Sequence, residues 1–175
     1  MSECSQKAFR DSTSNKGLGL KIMDCSRLEY IKNVNDDRDI WAYKIYPVGA
    51  YFQLNFKEGK GVDNHAFNLP KGSFIILSQK LPEYERFLTH VVELVNEGSE
   101  DKPQWGIDTW GIFRWVKVHW IADFDNPNRI PLDQKEMRAE WVRFDTKAKL
   151  LSSESLMKQW GSIDALRGHL GEVFN

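Results

Sequence analysis

The sequence is poor in the features that mark secreted, membrane-spanning or zinc-binding chains. It has two cysteines, Cys4 and Cys25, and neither lies in a Cys-x-x-Cys pair or near a histidine at zinc spacing. No apolar run approaches the roughly 18 residues that a membrane-spanning helix needs, and the first residues lack the apolar segment of a signal peptide. We therefore expect free thiols, no membrane association and a cytoplasmic location.

An excess of one charge is also missing. The formal net charge is −1, and acidic and basic residues are mixed along the whole chain. Such a chain lacks the basic block that holds a phosphate backbone non-specifically, although folding can still assemble a local basic groove. Hydrophobic residues make up 41% of the chain and charged residues 28%, which is typical of a folded domain rather than a disordered one.

Catalytic and metal-binding motifs are missing as well. The chain has no Gly-x-Ser-x-Gly elbow, no phosphate-binding loop and no Gly-x-Gly-x-x-Gly fingerprint. Its histidines form no His-x-His or His-Glu-x-x-His pair; they are His65, His90, His119 and His169. We therefore predict no catalytic residue, no metal site and no cofactor. His119 keeps two interpretations, as a ligand-binding imidazole flanked by tryptophans and as an ordinary polar residue on a sheet face.

The hydrophobic pattern predicts one folded domain behind a polar extension. Residues 1–36 are predicted to form a polar, partly disordered N-terminal extension, with at most a short helix or strand around residues 28–31. Residues 37–175 are predicted to form a single domain. Alternating or short apolar runs predict its strands at residues 40–46, 50–56, 73–78, 87–95, 112–124 and 141–144.

The C-terminal part changes from strand to helix periodicity. From about residue 152 onward, apolar residues recur at helical spacing, and Ser152 or Ser153 and then Ser162 are suitable N-caps for two helices. Strands that come first and helices that come last indicate an α+β fold rather than an alternating parallel sheet.

Aromatic residues are what the sequence has in abundance. Seven are tryptophan, and four of these recur every five residues, at Trp105, Trp110, Trp115 and Trp120. On one strand an offset of five places side chains on opposite faces, so Trp115 and Trp120 are predicted to point opposite ways, with Trp120 in the core. Trp105 and Trp110 lie instead in a glycine-flanked loop, where binding residues are often found. An aromatic pocket suits a planar or cationic ligand, or the anchor side chain of a peptide.

Three segments share a further pattern of strands and turns. Residues 41–47 begin with an aromatic and end at Pro47; residues 69–77, a glycine turn that starts a strand, are followed by the returning strand 88–95; and residues 115–118 follow a variable loop. Together these segments resemble the PUA-like superfamily, and within it the EVE and YTH-related domains. The resemblance covers about residues 39–145, and Ser73 stands where that group commonly has an acidic residue.

The resemblance implies a curved, mostly antiparallel β-sheet or small barrel, accompanied by the C-terminal helices. It also implies a pocket in which aromatic side chains receive a modified nucleobase of DNA or RNA, either flipped out or single-stranded. By position, the cage candidates are Trp41, Trp105, Trp110 and Trp115, and the candidates for hydrogen bonds to a base edge are Asn68, Ser73 and His90. The basic rim of the pocket is predicted at Lys44, Lys71, Arg114 and Lys117.

Three functions remain open at this point. The first is a non-catalytic reader of nucleic acid that carries a modified base. The second is a protein-interaction module of the adaptor or immunity type, which would use an exposed aromatic patch to bind another protein. The third is a small enzyme that acts through His119 or His90 with nearby acidic residues.

Overall fold

The computed structural model describes residues 22–82, 85–137 and 146–175. Within these ranges six strands form one sheet in the order β2-β5-β4-β3-β1-β6. The strands are β1 Leu28–Val34, β2 Tyr51–Phe56, β3 Phe74–Lys80, β4 Arg86–Leu94, β5 Ile112–Ile121 and β6 Lys149–Leu150. The helices are α1 Val62–Asn68, α2 Gly98–Asp101, α3 Asp133–Glu136, α4 Glu154–Trp160 and α5 Ile163–Phe174. This arrangement confirms the predicted α+β class.

The sheet is mixed and open. Strand β1 runs parallel to β3, whereas the β2–β5, β5–β4, β4–β3 and β1–β6 pairs are antiparallel. Among the described strands, β2 and β6 each have a single neighbour, so the sheet does not close into the small barrel that was one of the expectations.

Both faces of the sheet are covered. On one face the C-terminal helices pack against β1, β3 and β4, with Leu166, Leu170 and Phe174 of α5 in the core cluster. On the other face α1 and residues near Ala42 cover β2 and β5, where Phe52 and Leu54 are buried. Each side thus has its own apolar core, and the segment around Ala42 belongs to the second one.

The predicted C-terminal helices are confirmed. Helix α5 begins after Ser162, whose hydroxyl accepts a hydrogen bond from the backbone N–H of Ala165 at 3.1 Å. Such a bond satisfies one of the backbone donors that a helix leaves free at its start. Helix α4 begins at Glu154 after Ser153, which makes no side-chain capping bond.

Four of the predicted strands are confirmed and one is wrong. Strands β2 to β5 correspond to the predictions at 50–56, 73–78, 87–95 and 112–124, and in β2 the buried residues alternate as expected. Residues 40–46 form turns instead of a strand, with Tyr43 at a φ of 60°. The Gln79 side chain accepts from the Ala42 N–H and donates to the Ile40 carbonyl, so this backbone is satisfied without a strand partner. The strand predicted at 141–144 lies outside the described residues.

Part of the predicted N-terminal extension, residues 28–34, is a strand of the sheet. Strand β1 lies inside the sheet between β3 and β6, with Leu28 and Ile31 fully buried. Lys32 and Asn33 interrupt the apolar pattern of this strand, and both are buried. The ordered domain therefore includes residues before 37, and residues 1–21 lie outside the described ranges.

A bulge in β5 overturns the prediction that Trp115 and Trp120 point opposite ways. Val92 pairs with Val118 and Val91 pairs with Trp120, which leaves one extra residue, His119, in β5. An extra residue shifts the alternation that follows it. Trp120 therefore packs on the helix-covered face, 4.7 Å from the ring of Phe174, on the same side of the sheet as Trp115.

Candidate functional site

A cleft of about 720 Å³ opens beside the edge strand β2. We call it the aromatic cleft, because its lining includes Trp41, Tyr43, Tyr46 and Trp110. It is formed by residues 35–46, by Asn55 of β2 and by the loop before β5. Its volume falls in the range of pockets that take small molecules, roughly 300–1,000 Å³.

The aromatic walls of this cleft are held in place from behind. The Trp41 ring lies 5.4 Å from the Phe87 ring in an edge-to-face arrangement and 5.3 Å from the Phe124 ring. The Tyr43 ring stacks on Phe52 at 4.3 Å. Rings supported in this way lose little further freedom when a ligand binds, which favours binding.

Tyr43 and Asn55 connect the two sides of the cleft. The Tyr43 hydroxyl accepts a hydrogen bond from the backbone N–H of Asn55 at 3.1 Å, and burial raises the pKa of Tyr43 to about 12. The Asn55 side-chain amide donates to the Trp110 carbonyl at 2.8 Å. Tyr43 also has the positive φ that side-chain-bearing residues rarely adopt. Such strained positions are found preferentially at functional sites.

The loop of residues 105–111, which carries Trp110, has a tightly bonded backbone. The Gly106 N–H donates to the Gly111 carbonyl at 3.1 Å, and the Gly111 N–H donates to the Asp108 carbonyl at 2.9 Å. The Asp108 carboxylate accepts from the Trp110 N–H at 3.0 Å. A Cβ on Gly111 would overlap the carbonyl group of Gly106. Glycine is therefore required at residue 111 by a close backbone contact.

Charges of both signs lie at the cleft. Arg38 donates through its Nε and Nη2 atoms to the two carboxylate oxygens of Asp36, at 3.0 and 2.9 Å. These bonds hold the pKa of Asp36 below its ordinary value. Lys44 is exposed at the lining, as is Asp37. The cleft is thus neither a purely cationic nor a purely anionic site.

The structure brings together only part of the predicted cage. Trp41 and Trp110 line the aromatic cleft together with Lys44 of the predicted rim. Trp105 packs against the core, and its indole N–H donates to the Phe113 carbonyl at 2.7 Å. Trp115 is half-buried on the other face of the sheet, because side chains alternate along β5.

None of the three residues predicted to bind a base edge is among those that line the cleft. Ser73 is buried where β3 begins, and its carbonyl accepts from the Leu94 N–H. Asn68 lies at the end of α1, where its amide donates to the Asn64 carbonyl at 2.8 Å. His90 is fully buried, with Nδ1 3.0 Å from the Thr89 hydroxyl, and burial lowers the pKa of His90 to about 4. It is therefore a neutral residue packed beneath Tyr43 and Phe52.

The predicted basic rim also separates into parts. Arg114 is fully buried and donates to the Asp101 carboxylate and to the carbonyls of Ala66, Leu69 and Asn96. It is a structural residue, and the rim assignment is wrong, because no part of its side chain reaches solvent. Lys71 is exposed in the turn before β3. Lys117 of β5 pairs with Tyr51 of the neighbouring strand β2, and its ammonium lies 5.8 Å from the Tyr51 ring.

His119 lies with charged partners on the sheet face. Its Nε2 atom is 2.7 Å from Glu93 Oε2, and Arg27 donates to the other Glu93 oxygen at 3.0 Å. The Arg27 guanidinium also lies over the Phe74 ring at 4.2 Å. These contacts are partly exposed, and they give His119 a polar partner on the sheet face without a ligand.

A second pocket of about 780 Å³ lies behind Trp41. Trp41 and Phe87 contribute to it, together with Ile130, Leu132 and Val173. At its edge His169 Nε2 is 2.7 Å from Glu136 Oε2, and the His169 ring stacks on Trp160. Trp41 therefore separates two cavities, only one of which is rich in aromatic side chains.

No helix in residues 22–82, 85–137 and 146–175 has the length and apolar character needed to cross a membrane. No group of three or more His, Cys, Asp or Glu side chains in the same ranges is arranged to hold a metal ion.

The chain matches no model of a protein family, no curated protein and no solved structure. The resemblance to the PUA-like group therefore stays a prediction.

Proposed function

We propose that this protein is a non-catalytic reader of a modified nucleobase, which it binds in the aromatic cleft. The observation that carries the proposal is the joint presence of Trp41 and Trp110 in the lining of one cavity. These residues are far apart in the sequence, and each lies on a segment that other residues hold in place. A PUA-like fold of the EVE or YTH-related kind and a cytoplasmic location are parts of the same proposal.

Stacking is the interaction that such a cleft offers. Each contact between a base and an aromatic side chain contributes about 1–3 kcal/mol and depends little on the base. A modified base is distinguished by the additional apolar or cationic group that it places against the rings. The cleft volume of about 720 Å³ leaves room for one base with its sugar.

The polar groups near the rings are of the kind that read a base edge. The Tyr43 hydroxyl donates to the Asn55 side-chain oxygen at 3.4 Å, and a base edge can take the place of this long bond, since both atom types form hydrogen bonds with base edges. Lys44 is exposed at the cleft and is suited to contact a neighbouring phosphate. Because the lining also has acidic residues, we expect binding to depend on the base more than on charge.

The proposal is tested by titrating tryptophan fluorescence with short single-stranded oligonucleotides. Three probes are compared at low salt: unmodified, carrying one 5-methylcytosine, or carrying one N6-methyladenine. We expect quenching that is stronger for one modified strand than for its unmodified counterpart. Replacing Trp110 with Ala should weaken that binding by about 5- to 150-fold, the equivalent of one lost stacking contact.

Trp115→Ala is the matched control, because Trp115 is a half-buried tryptophan of the same region that lies outside the cleft lining. It should leave the affinity within about twofold of that of the parent protein. Equal losses in the two variants, or no quenching by any of the three strands, would refute the proposal.

A second function is favoured by a different observation. Three apolar side chains before and at the start of strand β2 are exposed: Ile45 (74%), Val48 (59%) and Tyr51 (54%). Exposed apolar groups close together in the chain are candidates for a protein-interaction surface. If this module binds another protein, the parent chain should capture a stoichiometric partner. Val48→Asp should lose that partner, because Val48 is exposed outside the cleft lining, while Trp110→Ala should still capture it.

A further inference from the structure

The side chain with the highest exposure among the large hydrophobic residues of the described ranges is Ile107, at 104%. It lies at the tip of loop 105–111, between the two glycines that close this loop. An isoleucine in this position contributes nothing to the core, and its exposure is unfavourable in water. A contact with another molecule would remove this cost.

The loop presents Ile107 in a defined position. The bonds between Gly106 and Gly111 close the loop, and the Glu58 N–H donates to the Thr109 carbonyl at 2.8 Å. At the base of the loop, Trp105 is anchored by its hydrogen bond to Phe113. A residue that must insert into a ligand requires this kind of support, because a mobile loop would lose entropy on insertion.

Ile107 also lies near the aromatic cleft. It is three residues from Trp110, so the two Cα atoms are at most about 11 Å apart. Adjacent base pairs of a duplex are separated by about 3.4 Å, so the two residues reach the same few base steps.

Basic side chains flank the loop on both sides. The ammonium of Lys57 lies 6.0 Å from the Trp110 ring, and that of Lys102 lies 6.0 Å from the Trp105 ring. The Asp108 carboxylate within the loop accepts from the Trp110 N–H and keeps its negative charge. Two lysines beside an apolar tip are complementary to a phosphate backbone with a base stack between its strands. Exposed Asp108 and Glu58 make the charges around Ile107 mixed, so nucleic acid is chosen as the molecule that covers Ile107 because the neighbouring cleft is proposed to bind a nucleobase.

We propose that Ile107 is a wedge that inserts into the base stack of a duplex next to a base bound in the aromatic cleft. Isoleucine and similar apolar side chains perform this task in proteins that unstack a base step. The site would then take a base flipped out of double-stranded nucleic acid, because a wedge compensates for the stacking that flipping removes. This inference rests on the proposed function and adds the duplex as its substrate class.

The test compares Ile107→Ala with the parent protein on single-stranded and duplex probes of one sequence, each carrying one 5-methylcytosine or one N6-methyladenine. We expect the affinity for the duplex to fall about tenfold or more, and that for the single strand to change less than about twofold. Ile22→Ala is the matched control, because Ile22 is 76% exposed and precedes Met23, which is bonded to the C-terminal Asn175. It should change neither affinity.

A second measurement reports unstacking directly. A 2-aminopurine placed next to the target base in the duplex should become more fluorescent on binding the parent protein and less so on binding Ile107→Ala. Equal affinities of the two proteins for the duplex, or equal losses on duplex and single strand, would overturn the wedge while leaving the cleft as a base-binding site. If the parent protein binds neither probe, the proposed function itself fails.

Discussion

The buried pair of Arg114 and Asp101 allows a quantitative prediction about the stability of the fold. Both side chains are fully shielded from solvent, and Arg114 Nε lies 2.9 Å from Asp101 Oδ2. Replacing Arg114 with Met keeps most of the side-chain volume but removes the charge. We expect the free energy of unfolding to fall by about 3–5 kcal/mol, because Asp101 becomes a buried carboxylate without its cation.

Several contacts of this pair determine the size of the loss. Arg114 also bonds the carbonyls of Ala66 and Leu69 at 2.6 and 2.8 Å, so it connects the end of α1 to β5. Asp101 keeps two donors in the variant, the Asn96 amide at 2.8 Å and the Trp115 N–H at 3.1 Å. These remaining bonds moderate the loss but do not replace a full positive charge.

The assay is urea unfolding followed by tryptophan fluorescence and by circular dichroism. The dependence of the unfolding free energy on urea concentration is compared between variants. For a domain of this size the expected loss lowers the melting temperature by roughly 6–20 °C. The double variant with Asp101→Asn should recover part of the stability, since the uncompensated charge is then gone. A loss below about 1 kcal/mol in Arg114→Met would refute the reasoning, because it would mean that the pair is solvated.

Two further predictions concern residues next to the site. Because the folded pKa of His90 lies near 4, below the ordinary histidine value near 6.5, its neutral form is favoured in the fold. The His90 contribution to stability is therefore complete above pH 6.5 and is lost as the pH falls towards 4, by up to about 1.4 kcal/mol per pH unit. His90→Phe should reduce this slope in urea unfolding, and an unchanged slope would contradict the burial argument. Gly111→Ala should cost about 1–3 kcal/mol because its methyl group overlaps Gly106. Gly168→Ala, in helix α5 with open space around it, should stabilise by up to about 1 kcal/mol; similar values for the two glycine variants would contradict the close contact.

Much of the fold was predictable from local patterns. Strand β2 was predictable because Phe52, Leu54 and Phe56 alternate with polar residues, as a half-buried strand requires. Strand β1 was not, since the buried polar residues Lys32 and Asn33 interrupt its apolar pattern. The burial of these two residues depends on contacts with other parts of the sheet, which a local pattern does not contain.

The site was predictable only in part. The PUA-like resemblance predicts Trp41 and the glycine-flanked loop predicts Trp110, and both line the aromatic cleft. Tyr43 and Asn55 were missed, because their segments were interpreted as plain strands. A positive φ at Tyr43 has no signature in its neighbours, since tyrosine is not a residue that turns usually select. Arg114 was misplaced for a related reason: a charged residue is ordinarily exposed, and only its buried partners show otherwise.

The sequence by itself determined the α+β class, four strands of the sheet and the two C-terminal helices, because periodicity and capping act over a few residues. It also placed Trp115 and Trp120 on a strand and Trp105 and Trp110 in a glycine-flanked loop. The tertiary structure alone decided which tryptophans line a cleft. Trp105 is part of a core, Trp110 lines a cleft, and one bulged residue moves Trp120 to the face of Trp115. These outcomes depend on bulges and on contacts between distant segments, whose energies are set only when the whole sheet is assembled.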